Sequence, residues 1–191
     1  AADATLSLSG GLTISDAISV AGTGVGGNGA IVNTSGSNTI AGAVTLTAAA
    51  TVKTVSGTLT FDVASGNGFT GNFDLTIDGS GNTTITDPIA TGTGGVIKNG
   101  SGTLNMTGNN TYTGLTILNA GGLSFTKINS DSLTINAGTT VMLGASDVIS
   151  DTAAVTIYGT LSSFARTINR VFLTDLTDSL SQYNHTSSLA N

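Results

Sequence analysis

Residues 95–125 read GVIKNGSGTLNMTGNNTYTGLTILNAGGLSF, and this stretch decides the fold. Short runs of valine, isoleucine and leucine recur in it at close intervals, with glycine and asparagine between them. Branched apolar residues suit the pleated surface of a β-strand, whereas glycine and asparagine favour tight turns. The stretch therefore predicts a series of short strands joined by turns rather than by helices.

A tripeptide of the form Leu/Val-Thr-Ile/Leu extends this rhythm along the chain. It begins at Leu12, Val44, Leu75, Leu115, Leu133 and Val155. Recurrence of one short unit is typical of a repeat architecture. Side chains alternate between the two faces of a strand, so each copy predicts a core residue, a surface threonine and a second core residue.

Residues 95–125 resemble the autotransporter-associated β-strand repeat, also called the passenger-associated transport repeat, of the β-helical exported portions of large bacterial surface proteins. Two positions depart from the family pattern: Leu115 stands where a second glycine is commonest, and Gly122 where threonine or serine is usual. The residues that match at the family's spacing are Lys98, Gly100, Gly102, Leu104, Gly108, Asn110, Tyr112, Gly114, Thr116, Gly121 and Leu123.

The pattern and the resemblance together predict an all-β protein with a right-handed parallel β-helix. Rungs of about 18–25 residues would give some eight rungs. An antiparallel β-sandwich is the alternative, because it also has short strands with frequent turn signals. We expect the β-helical region to cover residues 1–161, with its clearest repeat at 95–125.

The amino-acid composition of the chain changes after Leu161. Glycine disappears, while both arginines and the single histidine, His185, appear. A solenoid needs its last rung covered. Residues 162–191 are therefore interpreted as a C-terminal cap, or as the truncated start of a next module.

Composition limits the classes of partner. Only 8% of residues are charged and 5% are aromatic, while 27 are glycine and none is cysteine. The net charge of −6 would repel nucleic acid and anionic lipid, so we expect no nucleic-acid partner. With no long apolar run, we also expect no direct membrane insertion by this segment. The opening residues AADATLSL lack the features of a signal peptide, so an export signal would lie upstream.

Few residues are suited to catalysis. With one histidine and no cysteine, we expect no histidine-based triad, no zinc site of the usual ligands and no cofactor. Asp74 and Asp78, on one strand, would share a strand face, with Asp62 on a neighbouring rung, as a polysaccharide-cleaving enzyme would require. Acids that keep the rod soluble or cap turns are the favoured interpretation, so we predict a non-enzymatic protein.

Four further patterns have both a functional and a structural interpretation. The run Asp78-Gly79-Ser80-Gly81-Asn82 looks like a calcium loop, but we predict a simple turn. Tyr112 could stack on a sugar, but the resemblance implies that it packs between rungs with its hydroxyl at the surface. The Thr-x-Thr pairs suggest ice binding, but outward threonines of a solenoid are favoured; the pairs begin at Thr45, Thr58, Thr84 and Thr111. Turn formation and stacked amide ladders, rather than ligand binding, are predicted for Asn105, Asn109, Asn110 and Asn119.

The resemblance implies a structural passenger segment that is secreted or displayed on the bacterial surface, where it forms a rigid stalk and assists its own export. The alternative is an adhesin module that binds surface glycans, host matrix protein or other copies of itself. A polysaccharide-degrading β-helix enzyme and an ice-binding protein rank last.

Overall fold

The computed structural model describes residues 4–144 and 148–163, which contain nineteen short strands and a single 3-10 turn at Val25–Gly27. The strands are β1 (Leu6–Ser9), β2 (Thr13–Ile14), β3 (Ile18–Gly22), β4 (Ile31–Ser35), β5 (Ser37–Ile40), β6 (Val44–Thr54), β7 (Thr58–Phe61), β8 (Phe69–Thr70), β9 (Leu75–Asp78), β10 (Asn82–Ile85), β11 (Ile89–Ala90), β12 (Val96–Lys98), β13 (Thr103–Asn109), β14 (Thr116–Leu118), β15 (Gly122–Lys127), β16 (Ser132–Ile135), β17 (Thr140–Leu143), β18 (Ala154–Ile157) and β19 (Thr160–Ser163).

These strands coil into a parallel β-solenoid of about seven turns. The first sheet runs in the order β1-β4-β6-β9-β12-β14-β16-β18, and the second in the order β2-β5-β7-β10-β13-β15-β17-β19. Shorter strands (β3, the start of β6, β8 and β11) form a third side. Every strand pairing among the described residues is parallel, so the antiparallel sandwich is wrong and the β-helix is confirmed.

The register between neighbouring strands shows that the rungs differ in length. Few residues separate Leu118 from its register partner Ile135 in the first sheet. More residues separate Ile14 from its register partner Ile40 in the second sheet. Both separations are close to the predicted rung length, and the variation between them explains why no strict period is visible in the sequence.

The core is a continuous column of aliphatic side chains, widened by a few aromatic ones. Phe61 and Phe69 meet between the second sheet and the third side, with ring centroids 4.7 Å apart. Four tripeptides have the predicted alternation, with both apolar residues packed in or against the core; they begin at Val44, Leu75, Leu133 and Val155.

The other two tripeptides do not follow the prediction. Leu12 is 49% exposed and Leu115 is 54% exposed. Each of these residues precedes its strand, and Thr116, which pairs with Val96 and Leu133, faces the core.

The predicted boundary at 161 falls within β19 (Thr160–Ser163), which pairs with β17 in the second sheet. Residues 164–191, which hold most of the predicted cap and His185, lie outside the described residues. In the part of the chain that the structure describes, no helix is long and apolar enough to cross a membrane.

Candidate functional site

The eleven residues that match the repeat pattern occupy two consecutive rungs, from β12 to β15, and none of them is exposed. They divide into corner glycines, buried polar side chains and core leucines. Leu104 and Leu123 are the leucines: they are register partners in the second sheet, and both side chains are buried.

The glycines stand where the backbones of successive rungs touch. A Cβ on Gly102 would lie 1.9 Å from the carbonyl oxygen of Gly81, and a Cβ on Gly121 would lie 2.3 Å from that of Gly102. Gly100 has a φ of +39°, and its Cβ would lie 2.2 Å from the oxygen of Gly79. Side chains at these corners would push the rungs apart, so glycine is needed for stacking.

Lys98 is a buried cation in the core. It stands in register between Ile77 and Leu118 in the first sheet and is 2% exposed. Its Nζ donates to the carbonyl oxygens of Asn99 (2.9 Å) and Gly100 (2.6 Å), and to that of Ala120 (3.4 Å) in the next rung. Desolvation lowers the pKa of Lys98 to about 8, although the negative charge of Asp78 opposes the shift.

Asn110 joins three rungs through its side-chain amide. Its Oδ1 accepts a hydrogen bond from the backbone N–H of Ile89 in the preceding rung (3.0 Å). Its Nδ2 donates to the carbonyl oxygens of Gly108 (3.0 Å) and of Lys127 in the following rung (2.8 Å). The amide therefore completes the backbone ladder at a corner where the strands are interrupted.

Tyr112 and Thr116 form a buried hydroxyl pair. The Tyr112 hydroxyl lies 2.8 Å from Thr116 Oγ1, and neither side chain is more than 1% exposed. The prediction that the Tyr112 hydroxyl reaches the surface is therefore wrong. Burial raises the pKa of Tyr112 well above its usual value, and the hydrogen bond to Thr116 offsets part of that rise.

Earlier rungs use other polar residues at the corner between the first and second sheets. The hydroxyls of Thr54 and Thr83 meet there at 2.9 Å. One rung back, Asn38 Nδ2 donates to Asn33 Oδ1, and both side chains are buried. These residues share a place in the fold without sharing a residue type, so no sequence pattern marks them.

One segment of the chain matches a known protein family. Residues 96–125 match the family model described as the passenger-associated-transport-repeat. Residues 96–125 are thus similar to this repeat. The match covers about a sixth of the chain, as the resemblance predicted. This repeat and the β-solenoid fit an autotransporter passenger domain. Searches of the curated proteins and of the solved structures returned no significant match.

A column of asparagine amides lies where three successive strands of the first sheet end. Asn119 Nδ2 donates to Asn99 Oδ1 (2.8 Å), and Asn136 Nδ2 donates to Asn119 Oδ1 (2.6 Å). We use the name amide column for these three residues. The ladder predicted for Asn119 is thus confirmed, but its partners were not identified because successive rungs of unequal length hide their alignment.

The structure gives each candidate catalytic aspartate a separate partner. Asp74 precedes β9, and its Oδ1 accepts a hydrogen bond from the Gly95 backbone N–H (2.7 Å). Asp78 Oδ2 lies 3.9 Å from Lys53 Nζ. Asp62 follows a strand of the second sheet, and its Oδ1 accepts from Thr86 Oγ1 (2.8 Å). Asp62 is therefore on the neighbouring side of the solenoid rather than beside the other two.

The run from Asp78 to Asn82 forms a corner between β9 and β10, in which side chains bond to protein groups. Ser80 Oγ donates to the Val55 carbonyl (2.7 Å), and Asn82 Oδ1 accepts from the Thr103 N–H (3.0 Å). These contacts describe a solenoid turn, as predicted. Within 4–144 and 148–163, no group of three histidine, cysteine or acidic side chains is placed to hold a metal ion.

The Thr-x-Thr pairs are spread over more than one side of the solenoid. The pairs beginning at Thr58 and Thr84 belong to the second sheet, where Thr60 and Thr84 are register partners. The pair beginning at Thr45 lies at the start of β6, on the third side. These pairs do not lie together in one flat array, as ice binding would require. Their spread agrees with the interpretation that they are outward threonines of a solenoid.

Proposed function

We propose that this chain is part of the passenger region of a secreted or surface-displayed bacterial protein, in which the stacked rungs form a rigid stalk and assist export. The passenger-associated transport repeat at residues 96–125 supports this role. The length of the solenoid supports it too. Eight strands stack along each sheet, and their seven spacings of ~4.8 Å make a rod about 34 Å long.

Stepwise folding supplies the physical basis of export assistance. A solenoid rung contacts only its neighbours, so each rung can fold as soon as the preceding one is in place. Each added rung buries further aliphatic side chains, at ~25 cal/mol for every Å² removed from water. Folding outside the cell therefore opposes backward movement of the chain.

The observation that carries the proposal is the burial of the repeat's characteristic residues. Lys98 and Asn110 donate hydrogen bonds to carbonyls of the next rung, and Gly102 permits close stacking. These residues contact neighbouring rungs and are not exposed to a ligand. The repeat is thereby suited to propagating the solenoid, which a structural passenger segment requires.

The test is surface display of the full-length exported protein. We expect removal of residues 95–125 to lower the protease-accessible fraction on intact cells, and Gly102→Ala to do so with a single substitution. Gly122→Ala is the matched control, because the nearest atom to its added Cβ is a side-chain oxygen at 3.2 Å. Unchanged display after the deletion would show that the export role is wrong.

An adhesin is the second candidate, and the amide column favours it. Asn99, Asn119 and Asn136 present a row of uncharged amides, and Tyr158, which follows β18 in the same sheet, is 53% exposed. Amides and a tyrosine ring suit a neutral glycan. A glycan array probed with the intact chain tests this role: binding should be lost in Asn119→Lys and kept in Asn109→Lys, and an array with no retained protein would exclude it for the glycans tested.

A further inference from the structure

A groove opens on the outer face of the first sheet over the first three rungs. It has a volume of about 370 Å³ and is lined by Thr5, Ser7, Val25, Asn28, Val32, Thr34, Lys53 and Val55. None of these residues belongs to the passenger-associated transport repeat, which begins at residue 96. The groove therefore lies outside the matched repeat.

One wall of the groove is a closed loop between β3 and β4. Thr5 Oγ1 donates to the Gly29 carbonyl (2.8 Å) and accepts from the Val25 N–H (2.9 Å). The Gly29 N–H donates to the Thr23 carbonyl (2.6 Å). These bonds hold the loop in place, so the wall exists before any ligand arrives, which lowers the cost of binding.

The floor of the groove consists of outward side chains from three successive rungs. Ser7, Val32 and Lys53 are register partners. Val32 points outward but is only 6% exposed, because the loop returns over it: a Cβ on Gly29 would lie 3.1 Å from both Val32 Cγ2 and Lys53 Cβ. The loop therefore turns part of a flat sheet face into a concave surface.

The chemistry of the lining selects the ligand. Val25 and Val55 line the groove and are 59% and 43% exposed, so they offer it an aliphatic surface. Among the residues that the structure describes, Lys53 is the only charged one in the lining, and the chain as a whole has a net charge of −6. Lys53 Nζ lies 3.9 Å from Asp78 Oδ2, and both side chains are about one third exposed. A surface ion pair of this kind is weak, so the carboxylate of a ligand can take the place of Asp78.

We infer that this groove binds an aliphatic carboxylate of the medium-chain fatty-acid class, with its alkyl chain on Val25 and Val55 and its carboxylate on Lys53. The volume lies at the lower end of the range for small-molecule sites, which suits a short chain. Each further methylene removed from water should strengthen binding by about two- to fourfold.

The experiment is a titration of the intact chain with butanoate, hexanoate and octanoate, followed by backbone amide NMR. The expected result is a chain-length series in affinity, with shifts confined to the groove residues. Lys53→Gln should weaken octanoate binding by about tenfold, because it removes a charge-assisted hydrogen bond, whereas the control Lys127→Gln should not. Octanamide should bind the wild-type protein more weakly than octanoate.

Three results would overturn the assignment. They are the absence of shifts in the groove, equal affinity for all chain lengths, and octanoate binding that is the same in Lys53→Gln as in the wild type. If Lys53→Gln did not fold, the comparison of octanoate with octanamide on the wild-type protein would decide the role of the cation, and equal binding of the two would exclude it.

Discussion

The hydroxyl of Tyr112 and Oγ1 of Thr116 lie 2.8 Å apart inside the solenoid, where both side chains are buried. The hydrogen bond between them gives both hydroxyls a partner in a core built mainly from aliphatic side chains. A buried hydroxyl without a partner is costly, so the two residues should behave as one unit.

Tyr112→Phe leaves the Thr116 hydroxyl buried without its partner and should lower the free energy of unfolding by about 1–3 kcal/mol. Adding Thr116→Val removes the stranded hydroxyl and should recover part of that loss. The measurement is a double-mutant cycle by chemical denaturation. Strictly additive effects would contradict the pairing.

Lys98 should make stability depend on pH at the alkaline side. Its pKa falls from 10.5 to about 8 on folding, so between these values the unfolded chain holds more protons than the folded one. The contribution of Lys98 to stability should therefore rise as pH increases from about 8 to about 10.5. Below about pH 8 the contribution of Lys98 to stability should not change with pH.

The comparison for this prediction is Lys98→Met, which keeps the apolar stem and removes the titrating group. The difference in unfolding free energy between wild type and variant should grow in favour of the wild type across the window, since other titrating groups cancel in the difference. A difference that is constant with pH would show that the lysine pKa is not lowered.

Gly102→Ala should disrupt stacking between rungs. The added Cβ would lie 1.9 Å from the Gly81 carbonyl oxygen, a backbone atom that cannot move without shifting the preceding rung. We expect a loss of at least about 3 kcal/mol or failure to fold, measured by denaturation and circular dichroism. Gly122→Ala is the control and should remain within about 1 kcal/mol of the wild type.

Asn119→Ala should remove both hydrogen bonds of the amide column at once. Because the column is on the surface, water partly replaces them, and the expected loss is about 1 kcal/mol. Asn109→Ala, at the exposed end of β13, is the matched control. Equal stability of the two variants would mean that the column contributes nothing to the rod.

Asp74→Ala tests the structural interpretation of that carboxylate. The substitution removes the acceptor for the Gly95 N–H (2.7 Å) and should cost about 1 kcal/mol, whereas Asp74→Asn keeps an acceptor oxygen and should cost less. Thermal unfolding of both variants measures the difference. Polysaccharide cleavage by the wild type that disappears in Asp74→Asn would instead establish an enzyme.

The local pattern of the sequence was sufficient for the class of fold. Alternation of threonine with valine, isoleucine and leucine specifies strands, because side-chain direction in a strand alternates from one residue to the next. Glycines such as Gly100 and Gly102 mark the corners because only glycine fits there. The repeat at residues 96–125 was recognisable for the same reason, since its corners and core residues fall at set spacings.

Register was decided only by the tertiary structure. Rungs of unequal length align Asn99 with Asn119 and Asn136, and place Thr116 rather than Leu115 in the core. Such alignment depends on how each corner packs on the rung below it, and that packing involves residues far apart in the chain. The sequence by itself therefore determined that this chain forms a strand-and-turn solenoid, whereas the partners of Lys98, Asn110 and Tyr112 were set by stacking between rungs.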